Sequence, residues 1–159
     1  MDKKALLQSI IDHLRGVLAA GTESARATTA AATDSDSKAE NKYDTRNLEA
    51  SYLARGQALR VAEAQEALAA YEMMTPKFFA PDQAIAEGAL VALRGAEGTL
   101  TYFIGPAAGG TEIEWGGETV TVITLSSPLG SKIMRIRAGE SVELQPGRPM
   151  TKVTVASVQ

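Results

Sequence analysis

Between residues 34 and 46 the chain carries Asp34, Asp36, Lys38, Glu40, Lys42, Asp44 and Arg46, a run of charged groups with regular spacing. Ser37-x-x-Glu40 spells a capping box, in which Glu40 bonds back to the Ser37 amide and starts a helix. Lys38, Lys42 and Arg46 recur every four residues, so on a helix they share one face, a basic ridge suited to phosphates. Asp34, four residues before Lys38, supports a second reading of that ridge as a solvated face with i,i+4 ion pairs. Other chemistries find less. His13 is the single histidine, and no acidic cluster lies beside it to make it a base or a ligand. Gly105-Pro106-Ala107-Ala108-Gly109-Gly110 lacks the Lys-Ser/Thr of a phosphate-binding loop and reads as a turn after a strand. The absence of cysteine excludes disulfides, thiolate metal sites and cysteine nucleophiles together.

With 159 residues, 45% of them hydrophobic, the chain suffices for one or two small domains but not for a large enzyme. A net charge of −3 and a pI near 5.2 leave no global basic field, so contact with nucleic acid needs a local patch or a partner protein. Met1-Asp2-Lys3-Lys4 resembles the start of a secretory signal, but Gln8, Asp12, His13 and Arg15 interrupt the apolar stretch that would have to follow. No apolar run approaches the roughly 18 residues of a membrane span. The expectation is a soluble, cytoplasmic protein without a membrane partner.

Composition divides the chain. Residues 1–74 contain no proline and are rich in Ala, Glu, Leu and Arg, whereas all six prolines fall after residue 74. Thr75 to Gln83 reads as a linker. In the first segment Leu7, Ile11, Leu14 and Leu18 repeat at helical spacing, and a second periodic stretch runs through Leu48, Tyr52, Leu59 and Ala62. The pattern predicts helices over about 4–33 and 38–73, joined by a polar tip at 33–41. Paired antiparallel they make a hairpin some 45 Å long at about 1.5 Å per residue. Alanine and glycine at contact positions, Gly56 among them, would let the helices approach closely. The outer half holds too few large apolar residues to cover a globular core, so its length suggests a reach.

Residues 84–159 change period. The segments 89–94, 99–105, 111–115, 118–124, 140–144 and 151–158 alternate or run β-branched, as strands do. Gly116-Gly117 signals a hairpin. In 126–140 Ser127 is placed as an N-cap, Pro128 as the first helical residue and Gly139 as the stop after the last turn. The sum is an α+β class chain: an N-terminal antiparallel helical hairpin, or coiled coil, followed by a small α+β domain.

In order along the chain, residues 39–53 (Glu40-Asn41 with Tyr43 close behind), Gly88–Leu93, Tyr102–Gly110, Val120–Thr124 and Ser127-Pro128-Leu129-Gly130 through Gly139-Glu140 resemble the Gre family of bacterial transcript-cleavage factors, over nearly the whole chain. The resemblance implies an FKBP-like fold for residues 84–159 and a domain that grips bacterial RNA polymerase at its secondary channel, with Ser127, Pro128, Leu129 and Gly130 on the binding face. It implies a hairpin pushed toward the active site, where tip acids help hold the polymerase's own catalytic Mg²⁺ while backtracked RNA is cleaved. The factor is then no enzyme and has no cofactor of its own. Mg²⁺ takes hard oxygen ligands, and tip carboxylates can complete a site supplied largely by something else. The resemblance casts Asp36 and Glu40 in that role, with Asp34 and Asp44 as bystanders, and turns Lys38, Lys42 and Arg46 toward the nascent RNA. It also implies a monomer.

The family's Asp-x-x-Glu-Asn reads here Ser37-Lys38-Ala39-Glu40-Asn41, and Asp36 stands one residue early. On a helix that offset turns a side chain by about 100°, so Asp36 replaces the missing acid only where the chain is still turn. A channel regulator of the same shape that does not promote cleavage is therefore the alternative. A prolyl isomerase, suggested by fold analogy alone, would need an aromatic-lined pocket, yet Tyr102 and Phe103 are adjacent on a strand and point to opposite faces.

Overall fold

The computed structural model describes residues 2–33, 45–144 and 151–159, with the side chains of 28, 29, 31–33, 45–51 and 151 left aside. The elements run α1 (Lys3–Thr33), α2 (Thr45–Glu72), β1 (Leu90–Gly95), β2 (Gly98–Gly105), β3 (Glu112–Trp115), β4 (Glu118–Thr124), α3 (Pro128–Ile133), β5 (Ser141–Leu144) and β6 (Thr151–Val158). By packing, the chain forms two compact units, residues 1–10 with 70–159, and residues 11–69.

Residues 11–69 are two antiparallel helices. A Cβ on Gly21 would lie 3.1 Å from Val61 Cγ2, and Gln57 Nε2 donates to Ser24 Oγ at 3.1 Å, so the partner positions advance along α1 and retreat along α2. On α1 the inward side chains are Leu14, Leu18, Gly21 and Ala25; on α2 they are Ala54, Gln57, Val61, Ala64 and Leu68. The α2 set steps by three and four, as a knobs-into-holes seam does. This is not the stripe that the apolar pattern picks out. Tyr52 is 67% and Leu59 60% exposed, Ala62 is exposed, and the space about Gly56 is open, so Gly21 rather than Gly56 is the glycine of close approach. An alanine-rich helix offers several apolar stripes, and the one buried here continues in phase to Tyr71.

Residues 1–10 and 70–159 are organised by a six-stranded sheet of order β3-β4-β2-β1-β6-β5. All neighbours are antiparallel except β2 and β4, which run parallel. Gly116 and Gly117, at φ +60° and +85°, close the β3–β4 hairpin as a two-residue turn that side chains other than glycine seldom enter. One sheet face carries Val91, Leu93, Ile104, Ile123 and Val155, packed with Ile85 and with Ile133 of α3. Phe103 points the other way, 6.5 Å from the Tyr71 ring at the foot of α2. The Tyr71 hydroxyl donates to Ala107 O at 3.1 Å, and a Cβ on Gly105 would collide with it, which is why that strand ends in glycine.

All six strands fall where alternation places them, but α3 is shorter than its flanking signals imply. It stops at Ile133, well before Gly139, because Arg135 N donates to Ile85 O at 3.0 Å and Ile85 N to Ile136 O at 2.8 Å. These bonds to the segment before β1 draw residues 135–136 out of helical geometry. Gly139, at φ +87°, instead turns the chain into β5.

Candidate functional site

Ser127 to Gly130 open α3. Ser127 is the N-cap: its Oγ accepts from Gly130 N at 3.0 Å and donates to Thr124 O at 2.7 Å, pinning the helix start to the end of β4. Pro128 fits the first turn, where no amide bond is lost. Gly130 is buried, and a Cβ there would run into the Thr124 carbonyl oxygen. Ser127 and Gly130 therefore build the turn, while Pro128, exposed, and Leu129, half-buried against the core, are what it presents.

Both line a cleft of about 760 Å³ whose floor is Leu93, Leu100, Tyr102 and Val153, with Leu144 at one side. Glu97 and Lys132 stand at its mouth. Among the described residues Tyr102 is the single aromatic in the lining, and burial pushes its phenol above the ordinary value. Phe103 lies on the opposite sheet face, as alternation requires, so no aromatic box forms. Leu100 is 64% exposed, an apolar side chain left at the surface.

The remaining sequence candidates separate. Asp36, Glu40, Lys38 and Lys42 lie outside the described residues, as do Asp34, Ser37 and Asp44; Arg46 sits in the first turn of α2, its side chain outside the description. His13 is exposed on α1. Among the described residues no three His, Asp or Glu side chains converge on a metal-sized site, and no helix is long and apolar enough to cross a membrane. The two connector phenylalanines differ: Phe78 is 83% exposed, whereas Phe79 packs against the core.

One group carries no sequence signal beyond falling four residues before Leu7. Lys3 is buried, its Nζ donating to Lys77 O at 2.5 Å and Gly88 O at 2.9 Å, and standing 4.6 Å from the Phe79 ring centre. Burial lowers its pKa to about 8. It fastens the first turn of α1 to the connector and to the turn before β1.

No protein-family model and no curated protein sequence matches the chain. Among solved structures it is similar to Gfh1 of Thermus aquaticus (15% identity, TM-score 0.41, 93% of this chain and 92% of that one). It is also similar to the GreA factor homolog Gfh1 of Thermus thermophilus (14%, 0.38, 94% and 94%). A third similar structure is a GreA/GreB transcription elongation factor from Nitrosomonas europaea (19%, 0.35, 60% and 78%). At superpositions this loose, function has to be argued from the chain's own residues.

Proposed function

We propose that this chain is a transcription factor that binds bacterial RNA polymerase at the secondary channel, with Pro128 and Leu129 on the binding face and the helical hairpin entering the channel. The observation that carries the reading is the start of α3. The segment with the most specific resemblance to the Gre family is a capped, glycine-anchored turn whose two free side chains overlook an apolar cleft. In that reading Asp36 and Glu40 complete the polymerase's Mg²⁺ site, and Lys38, Lys42 and Arg46 face the nascent RNA. The polymerase then cleaves its own backtracked transcript.

A second reading has its own observation. Ser37 stands at the family's Asp position and, with Glu40, matches the sequence pattern of a capping box, which favours a channel regulator that binds without promoting cleavage.

Replacing Pro128 and Leu129 together by glutamate tests the docking. The double variant should keep its circular dichroism spectrum and lose capture by core polymerase at least tenfold. Unchanged capture by a folded variant would refute this binding face.

A further inference from the structure

The face of α2 turned away from the seam is patterned. At about 100° per residue, the seam set Ala54, Gln57, Val61, Ala64 and Leu68 centres directly opposite Leu59. Tyr52 and Glu66, one heptad to either side of Leu59, stand within about 20° of it, and Arg55 within about 40°. All four are exposed, Tyr52 at 67% and Leu59 at 60%. One narrow stripe therefore holds two large apolar side chains, a guanidinium toward its N-terminal end and a carboxylate toward its C-terminal end. Neither charge is satisfied along its own helix. The positions three and four away from Arg55 are Ser51, Tyr52, Ala58 and Leu59, and those about Glu66 are Ala62, Glu63, Ala69 and Ala70. Among the described residues neither forms an ion pair.

The polarity of this stripe makes it complementary to itself in one direction only. Two copies of α2 laid face to face and parallel would set Arg55 on Arg55 and Glu66 on Glu66. Laid antiparallel, about a two-fold axis level with the 60–61 peptide, they bring Arg55 level with Glu66 of the second copy. Both residues lie to the same side of Leu59, so the two-fold keeps them on one flank of the contact, and the pair forms twice. The same register sets Leu59 level with Ala62 and Tyr52 level with Ala69, each alanine exposed, so a large side chain meets a small one each time. Glu63, on the other flank, stands level with Ala58. Gly56, with open space where a Cβ would stand, leaves room for the second backbone to approach.

We propose that this stripe is covered by α2 of a second copy of the chain, antiparallel, with Leu59 and Tyr52 of each copy over the alanines of the other and two Arg55–Glu66 pairs at the flank. A helix paired with its own copy about a two-fold axis makes an isologous contact, which closes at two chains. The contact lies wholly within the unit formed by residues 11–69. One pair of helices of this length buries less than the roughly 1,200 Å² of a standard stable interface, so the dimer is weak and forms at high concentration. The self-association does not depend on the polymerase reading.

Sedimentation of the full chain over a concentration series, at low and at high salt, tests the proposal. A monomer–dimer equilibrium that weakens as salt rises is expected. Arg55→Glu should weaken association at least tenfold, and so should Glu66→Arg, because each reversal turns two attractions into two repulsions. The chain carrying both reversals should dimerise again, since opposite charges once more stand level. Leu59→Ser should weaken the dimer at either salt concentration, because the apolar contact is not screened. All these positions are exposed, and circular dichroism reports whether each variant keeps its helices. A monomer at every concentration overturns the proposal, as does a dimer indifferent to the single reversals or a doubly reversed chain that stays monomeric.

Discussion

Lys3 shows how one residue can set a property that no pattern of charges announces. Its ammonium, held by two carbonyl oxygens and the Phe79 ring, has a pKa near 8 in the folded chain against 10.5 when free. Between those values the unfolded chain binds the extra proton, so stability rises with pH from about 8 toward 10.5 and is lowest below 8. Tyr71 acts in the other direction: burial, with the Glu87 carboxylate adding to it, raises its phenol, so its contribution fades above pH 10. Denaturant midpoints taken from pH 7 to 9.5 should climb for the wild type and stay nearly flat for Lys3→Met. An equal slope in both would mean that Lys3 is not the titrating group. Tyr71 supports a second prediction. Gly105→Ala should cost about 1–3 kcal/mol through overpacking against the Tyr71 hydroxyl, and Tyr71→Phe in the same chain should recover part of the loss. Additive losses in the thermal unfolding of the double variant would contradict that contact. Neither arrangement was legible in the sequence, because each depends on partners distant along the chain: Lys3 with Gly88, and Tyr71 with Ala107.

At the scale of elements, what could be read depended on whether the signal was local. The six strands followed from β-branched alternation and the Gly116-Gly117 turn, both contained within a few residues. The Ser127 cap and Pro128 likewise marked the true start of α3, while its end was set by Ile85, some fifty residues earlier in the chain. The α2 seam escaped for a different reason. Alanine at 54, 58, 62, 64, 67, 69 and 70 makes several stripes look apolar, and only packing chooses between them. Two alanines therefore give a clean test. Ala64 is buried in the seam, and Ala62, two residues away, is exposed. Ala64→Glu should lower stability by several kcal/mol, since it buries a charge without a partner, whereas Ala62→Glu should stay within about 0.5 kcal/mol. Urea midpoints of the two variants check this, and the reverse order would restore the stripe through Tyr52, Leu59 and Ala62.

The proposed function joins a capped turn over an apolar cleft, which the structure describes, to a hairpin tip whose chemistry rests on sequence, so the decisive test has to keep the two apart. If the tip serves the polymerase's Mg²⁺, Asp36 and Glu40 act only in the complex, because two exposed carboxylates dehydrate that ion poorly. The chain alone should then show hardly any Mg²⁺ binding by calorimetry. Glu40→Gln keeps the size and much of the capping bond but removes the charge. Capture by polymerase should persist, while shortening of RNA in a stalled, backtracked elongation complex falls by about one to three orders of magnitude, the scale of a lost electrostatic contact to a transition state. Ser37→Ala probes the rival role of the same residues. If Glu40 only starts a helix, that change costs about 0.5–2 kcal/mol of stability, and Glu40→Gln does nothing specific to the RNA. A wild-type chain that binds polymerase through Pro128 and Leu129 yet leaves backtracked RNA at full length decides for the regulator without cleavage. Ser37 at the acid's position would then be the reason, since a one-residue offset on a helix turns a side chain by about 100° and Asp36 could replace the acid only within a turn.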